Sequence, residues 1–310
     1  MAGTIWEFFG YRTDDPSAAA SASVNQRACP FVGGVCEKRL HSEDDGPAGV
    51  CAIKPIRSGP VICCPIRLYA DGYKVLRDVA DLAFGPGLPL KPGANAVPFA
   101  LEHRAPVVAV FGKRWGGELR VPKKAGLGGY WVDWVLALIN PQGNLEEFVA
   151  VEVQTIDTTG NYKNGRAALI EGRGVVPTSA GFNWENVNKR ILPQLIYKGQ
   201  LLQREELCKK GLFFVAPQAV FNVMLDRVGG LERVPKYALQ PAAITFLAYD
   251  YAEGMPTPGQ LAPLARTTRH TTTVYKVQEA FNNVQLTDEN VYRKAILEGL
   301  GLVGPPAPLD

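Results

Sequence analysis

Two sets of side chains in this 310-residue chain have the types and spacing for chemistry, and the denser set is sulfur. Five of the six cysteines, Cys29, Cys36, Cys51, Cys63 and Cys64, crowd into residues 29–64. Four thiolates make a tetrahedral site for zinc or iron. The run Cys29-x6-Cys36-x14-Cys51-x12-Cys64 supplies four, although it lacks the CxxC knuckles of zinc ribbons. Cys63 adjoins Cys64 and cannot comfortably share its metal, so one of the two is spare, and His41 could replace a thiolate. The plain alternative is a set of reduced, unliganded thiols, but a Gly- and Pro-rich stretch of this kind has little reason to fold without a staple.

The second set is acidic. In FVAVEVQTID, residues 148–157, alternation puts Val149, Val151 and Val153 on one face of a strand and Glu152 and Gln154 on the other. In YWVDWVLALI, residues 130–139, Asp133 interrupts an apolar strand, with Trp131 and Val135 on its own face. Burying an unpaired carboxylate is costly, so such an acid needs a cation or hydrogen-bond donors. If a turn over residues 141–147 makes these strands neighbours, Asp133 and Glu152 converge and can hold a hard divalent ion such as Mg²⁺ through oxygen. The competing reading pairs each acid with a nearby lysine in a salt bridge.

The elements that must position these groups follow from hydrophobic period. Residues 106–112, 130–139, 148–157, GLFFVAP and AAITFLAYDY read as strands, the second and third joined through PQGN. Residues 71–84 repeat apolar positions at three and four, as does NWENVNKRILPQLIYKGQLLQREELC, where Pro193 should kink or cap the helix. Cys208, in that segment, reads as a small buried hydrophobe. DENVYRKAILEGL reads as a closing helix that Asp288 can cap. Residues 14–23 and 85–98 read as linkers, which divides the chain into a cysteine-bearing module, 1–84, and a larger unit, 85–310. Mixed strands and helices point to an α/β or α+β fold with the sheet in the middle.

Composition is that of an ordinary globular protein, 46% hydrophobic and 20% charged, which excludes a disordered chain. No apolar run is long enough for a membrane span and the opening residues lack signal-peptide order, so a cytoplasmic protein is expected, where clustered cysteines serve metals more often than disulfides. A net charge of +3 does not announce nucleic acid. Local pairs matter more: Lys38-Arg39, Lys113-Arg114, Lys123-Lys124, Lys189-Arg190, Lys209-Lys210 and the run Arg266 to Arg269 would each suit phosphates.

The chain also resembles a family, the rare-cutting type II restriction endonucleases typified by NotI. The likeness runs in order through EFFGYR at 7–12, CPF at 29–31, GVC at 49–51, CP at 64–65, GGEL at 116–119, DW at 133–134, EVQTID at 152–157, GNYK at 160–163, ALIEG at 168–172 and PTSAG at 177–181. The resemblance implies a PD-(D/E)xK nuclease core behind an N-terminal four-cysteine metal domain. Asp133 and Glu152 would be the paired acids, Gln154 would stand where lysine is usual, and Glu118 would be an auxiliary acid. It further implies structural iron, with zinc the other candidate, on Cys29, Cys36, Cys51 and Cys64, of which Cys36 falls in the least well matched stretch. It implies catalytic Mg²⁺ and a homodimer on double-stranded DNA at a GC-rich palindrome with a GGCC-like centre. Guanine is read by bidentate Arg or Lys, which makes Asn161, Lys163, Arg166, Arg173, Lys189 and Arg190 candidate DNA contacts. A non-catalytic metal-containing DNA-binding protein and an iron redox protein on a nuclease-like scaffold are the rival functions.

Overall fold

Apolar runs of different period sort the chain into two sheets with helices around them. A computed structural model describes residues 3–39, 46–119, 131–283 and 290–302, so His41, Lys123, Lys124 and Asp288 lie outside the described residues. Near the N-terminus, β1 (Gly3–Phe8), β2 (Tyr11–Arg12), β3 (Val50–Pro55) and β4 (Val61–Ile62) form a four-stranded sheet in the order β2-β1-β3-β4. The larger sheet has seven strands. They are β5 (Leu90–Pro92), β6 (Val107–Gly112), β7 (Trp134–Ile139), β8 (Leu145–Val153), β11 (Leu212–Pro217), β12 (Ala243–Tyr251) and β13 (Leu264–Thr273), in the order β13-β12-β11-β8-β7-β6-β5. The two-residue strands β9 (Thr158–Thr159) and β10 (Gly181–Phe182) pair separately.

The centre of the large sheet is parallel where β8, β11 and β12 lie together, while β6, β7 and β8 form an antiparallel meander. Every residue of β11 is buried, as expected of a central parallel strand covered on both faces. One face packs against α2 (Ala70–Phe84) and the N-terminal sheet, in an apolar cluster that joins Ile5, Val50, Leu76 and Val79 to Val108, Leu136, Val151 and Phe213. The other face is covered by α5 (Leu192–Leu202), α6 (Gln218–Arg227) and α7 (Val274–Asn282), while α3 (Gly93–His103) packs beside β6. The remaining helices are α1 (Ala18–Asn25), α4 (Lys163–Gly172) and α8 (Val291–Gly299).

Several sequence expectations need correction. Residues 14–23 include most of α1, whose start is capped by Ser17 Oγ accepting from Ala20 N–H at 3.1 Å. Residues 85–98 contain β5 and the first turns of α3 rather than a bare linker. Asp133 sits in a bend ahead of β7, not inside the strand, because pairing with β8 begins at Trp134. Pro193, expected to kink the segment or cap its second half, stands in the first turn of α5, directly after the wide turn Val187–Ile191; α5 ends at Leu202, so Cys208 is buried in the turn before β11 rather than in the helix. Helix α2 carries its periodic face from Val75 onward, after Asp71, Gly72 and Tyr73 pass through left-handed backbone.

The N-terminal sheet is tied to the large one by a buried ion pair. Arg67 Nε donates to both carboxylate oxygens of Glu7, at 2.9 and 2.8 Å, and both side chains are 0% exposed. Tyr251 at the end of β12 donates to Glu7 at 3.0 Å, Arg67 Nη2 donates to the Ala262 carbonyl, and the guanidinium lies 4.6 Å from the Phe31 ring centre. Removing one partner strands a buried charge. Arg67→Met is therefore expected to cost about 3–5 kcal/mol, seen as a lower urea midpoint at unchanged slope. The double change Glu7→Gln with Arg67→Met should recover a large part of that loss.

Candidate active site

The β7–β8 hairpin brings the two strand acids together. Trp134 pairs with Val151, Val135 with Ala150 and Leu136 with Val149, so the same register carried one step further sets Asp133 opposite Glu152. Residues opposite one another across an antiparallel pair share a face of the sheet. Glu152 is flanked on its other side by Phe214 of β11. A backbone group locks the rung: Val153 N–H donates to Asp133 Oδ2 at 2.8 Å.

The face they share is the one covered by α5. Lys198 of that helix donates to Glu152 Oε1 at 2.6 Å, with the two side chains only 14% and 12% exposed. Burial, and next the Asp133 charge, push Glu152 up to about 7 against the pull of Lys198. Burial also raises Asp133, opposed by the Val153 N–H and by Lys198. Two carboxylates and one ammonium leave this poorly solvated spot with an excess of negative charge, which is the condition a bound cation relieves. Asp133 also lines a cleft of about 510 Å³ with Glu118, Lys113, Trp131 and Val135. Glu118 thus shares the cleft, but no three His, Cys, Asp or Glu side chains among the described residues stand together as a ready-made metal cage. Two acids suffice for Mg²⁺, which keeps several waters and takes the rest of its shell from substrate phosphate.

Gln154 lies just past β8, where its N–H donates to Val215 O at 2.9 Å and its side-chain amide to Thr155 O at 3.1 Å. Asn161 caps the approach to α4, accepting from Lys163 N–H at 2.7 Å. Lys189 and Arg190 occupy the wide helical turn Val187–Ile191, with Lys189 3.9 Å from Glu185 and Arg190 2.9 Å from Asp157. Arg166 donates to Pro47 O at 2.9 Å and Arg173 to Arg12 O at 3.1 Å, so both guanidiniums brace the N-terminal region. Lys198 is the site residue that sequence reasoning missed. Its signal was available: it follows Leu195 by three and precedes Leu202 by four, a lysine on the apolar stripe of α5.

The cysteines form a second locus. Cys29, Cys36, Cys51 and Cys64 line one small cavity together with Phe9, Phe31 and Ile66. All are buried and unpaired by disulfides. Burial pushes the Cys64 thiol up to about 12 and raises Cys29 and Cys51 also, so thiolates there need a cation. The donor type, burial and shared cavity fit a tetrahedral metal, though as placed the sulfurs are not drawn into a closed ligand group. Cys63 does not line that cavity: its sulfur lies 3.5 Å from Lys38 Nζ, which also donates to the carbonyls of Val50 and Cys63 at 3.2 and 3.1 Å.

The family model described as restriction endonuclease NotI matches residues 16–261, which includes all four cavity cysteines, Glu118, Asp133, Glu152, Gln154 and Lys198. The chain belongs to the NotI restriction endonuclease family. It is thereby a restriction endonuclease, a site-specific hydrolase of DNA. A search of curated proteins finds no match. Among the described residues no helix is long and apolar enough to cross a membrane. The mixed α/β architecture is consistent with a nuclease-like fold.

The Glu152 shift gives a stability signature. An ordinary glutamate ionises near 4.5 and this one near 7, so its contribution to stability is fully present below the lower value and lost as pH rises through the upper. In metal-free protein the melting temperature should fall between about pH 5 and pH 8. Glu152→Gln should flatten that fall, as read by scanning calorimetry.

Proposed function

We propose that this endonuclease makes double-strand cuts at a GC-rich palindrome with a GGCC-like centre, acting as a homodimer through Mg²⁺-dependent phosphodiester hydrolysis. In this reading residues 85–310 form a PD-(D/E)xK catalytic unit and residues 1–84 a metal-bearing module. The observation that carries it is the rung that sets Asp133 against Glu152 on one face of the sheet. Asp133 and Glu152 would hold the divalent ion, which when bound neutralises charge on the phosphate and makes water a better nucleophile. The water oxygen bonds to phosphorus in line, giving up a proton to solvent, as the bond to the 3′ oxygen breaks and that oxygen takes up a proton, leaving a 5′-phosphate and a 3′-hydroxyl. Gln154 can hydrogen-bond the attacking water but cannot accept its proton. Glu118, across the cleft, would orient a further water or ligand.

Two-fold protein symmetry maps onto a palindrome, so each subunit would cut one strand. Asn161, Lys163, Lys189 and Arg190 are the groups assigned to DNA, with phosphate contact serving position and any base-edge contact serving sequence. Arg166 and Arg173 would support that surface through the carbonyls they hold. Run-off sequencing of a GC-rich plasmid digested with Mg²⁺ tests activity, site and stagger together. Asp133→Asn and Glu152→Gln should each lower cleavage by about a thousandfold or more while leaving gel-shift affinity in Ca²⁺ within a few fold. Undiminished cutting by either variant would remove the two acids from the mechanism.

The same reading places structural iron, or zinc, on Cys29, Cys36, Cys51 and Cys64. Support comes from four buried thiols around one cavity in a segment with few other reasons to hold its shape. Purified protein should carry one such metal per chain by elemental analysis. Cys64→Ser should release it and lower the melting temperature, whereas Cys63→Ser should retain it.

A further inference from the structure

Resting on the hydrolytic reading above, we propose that Lys198 is a catalytic residue, supplying from α5 the cation that Gln154 cannot supply from the end of β8. The chain has glutamine two residues after Glu152, and that amide is spent on the Thr155 carbonyl at 3.1 Å. A neutral amide offers weaker stabilisation to a phosphate gaining negative charge than an ammonium does. Lys198 reaches Glu152 from α5, through space rather than along the strand, with its nitrogen 2.6 Å from Glu152 Oε1.

Three features separate this lysine from an ordinary surface pair. Both partners are nearly buried, at 14% and 12% exposure. Among the salt bridges of the described residues, it is the one made by either acid of the Asp133–Glu152 rung. The helix that carries it is anchored by Leu192, Leu195, Ile196 and Leu202, so the ammonium is delivered by a rigid element. An ammonium has three N–H donors, and Glu152 accepts from one. The others can meet a non-bridging phosphate oxygen or the attacking water. In the reaction Lys198 donates hydrogen bonds and keeps its charge. The water oxygen forms the new bond to phosphorus and releases a proton to solvent as the bond to the 3′ oxygen breaks, and the departing 3′ oxygen takes a proton from solvent.

Lys113 lines the cleft with Asp133 but, among the described residues, forms no ion pair with either acid of the rung, and further lysines near the two loci are held by other groups. Lys210 binds Glu147 at 2.6 Å and the Ala83 carbonyl, and Lys38 serves Cys63 and two carbonyls. Lys163 stands at the start of α4, beyond β9, where its backbone is held by Asn161.

The test is single-turnover cleavage of a plasmid bearing the site mapped for the wild-type enzyme, with gel-shift affinity in Ca²⁺ and thermal melts run alongside. Lys198→Met should slow cleavage by about a hundredfold or more while binding changes little. Lys198→Arg should retain an intermediate rate. Moving the lysine, Gln154→Lys with Lys198→Met, should recover at least about tenfold over Lys198→Met alone. Cleavage by Lys198→Met within about threefold of wild type overturns the assignment and leaves the nuclease reading intact. Loss of cleavage together with loss of DNA binding and a lowered melt, without recovery in the double variant, also overturns it, since Lys198 is then structural support for Glu152. A wild-type enzyme that leaves DNA uncut in Mg²⁺, or a Glu152→Gln variant that cuts normally, defeats the hydrolytic reading and this assignment with it.

Discussion

The site depends on the register of one hairpin. Side chains alternate along a strand, so a slip of one residue moves every group to the opposite face. Near the turn, Ile139 pairs with Leu145, and Asn140 closes the loop by accepting from Gln142 and Asn144 N–H and receiving the Asn144 carbonyl on its own N–H. Continued unchanged, that pairing would set Asp133 opposite Val151. A bulge at Glu146 adds one residue to β8, so Leu138 pairs with Glu147 and the rest of the hairpin follows. The irregularity lies far from the acids along the strand, yet it determines that Asp133 meets Glu152.

Much of this arrangement was legible in the residues. The apolar runs of β6, β8, β11 and β12 announced themselves because central strands buried on both faces leave little room for polar side chains. The PQGN turn joined β7 to β8 as read, and Glu152 stood out because a carboxylate in such a run needs a reason. What failed was weaker in physical contrast. Ala18 to Ala20 are neutral to a reader of hydrophobic period, though Ala is a strong helix former once Ser17 caps it. In α3, Gly93 and Pro98 mask a helix whose buried face is only Ala96 and Ala100. The edge strand β13, rich in Thr and Arg, is exposed at Arg266, Thr267 and Arg269 and carries no apolar run. Lys198 was visible as a charge on an apolar stripe, but which acid it meets is a tertiary fact.

The N-terminal region earns its place by packing as well as by sulfur. Val50, Ile53 and Ile62 are nearly or fully inaccessible, so β3 and β4 bury apolar surface before any metal is considered. Glu7 and Arg67 then join this sheet to Tyr251 and Ala262, at the end of β12 and in the loop before β13. Since β8, β11 and β12 run parallel, the C-terminal end of β12 lies at the same edge of the large sheet as Glu152. A buried ion pair is a poor source of net stability and a good source of geometry, because only one arrangement satisfies both charges. It holds the cysteine-bearing region against the edge where the acids converge.

In the proposed mechanism, charge balance accounts for a glutamine at position 154, just past β8. Asp133 and Glu152 contribute two negative charges when ionised and Lys198 one positive, in a place where both acids are driven upward by burial. The remaining deficit suits a divalent ion followed by a phosphate, which brings negative charge of its own. A second lysine at position 154 would remove that deficit before the ion arrived and weaken the attraction for it, since like charges in a poorly solvated site are costly. One ammonium, delivered from α5, leaves room for the metal and remains available to the phosphate. On this reading the E-x-Q sequence and the lysine on the facing helix would be two halves of a single electrostatic arrangement, distributed between a strand and a helix that only the tertiary fold brings together.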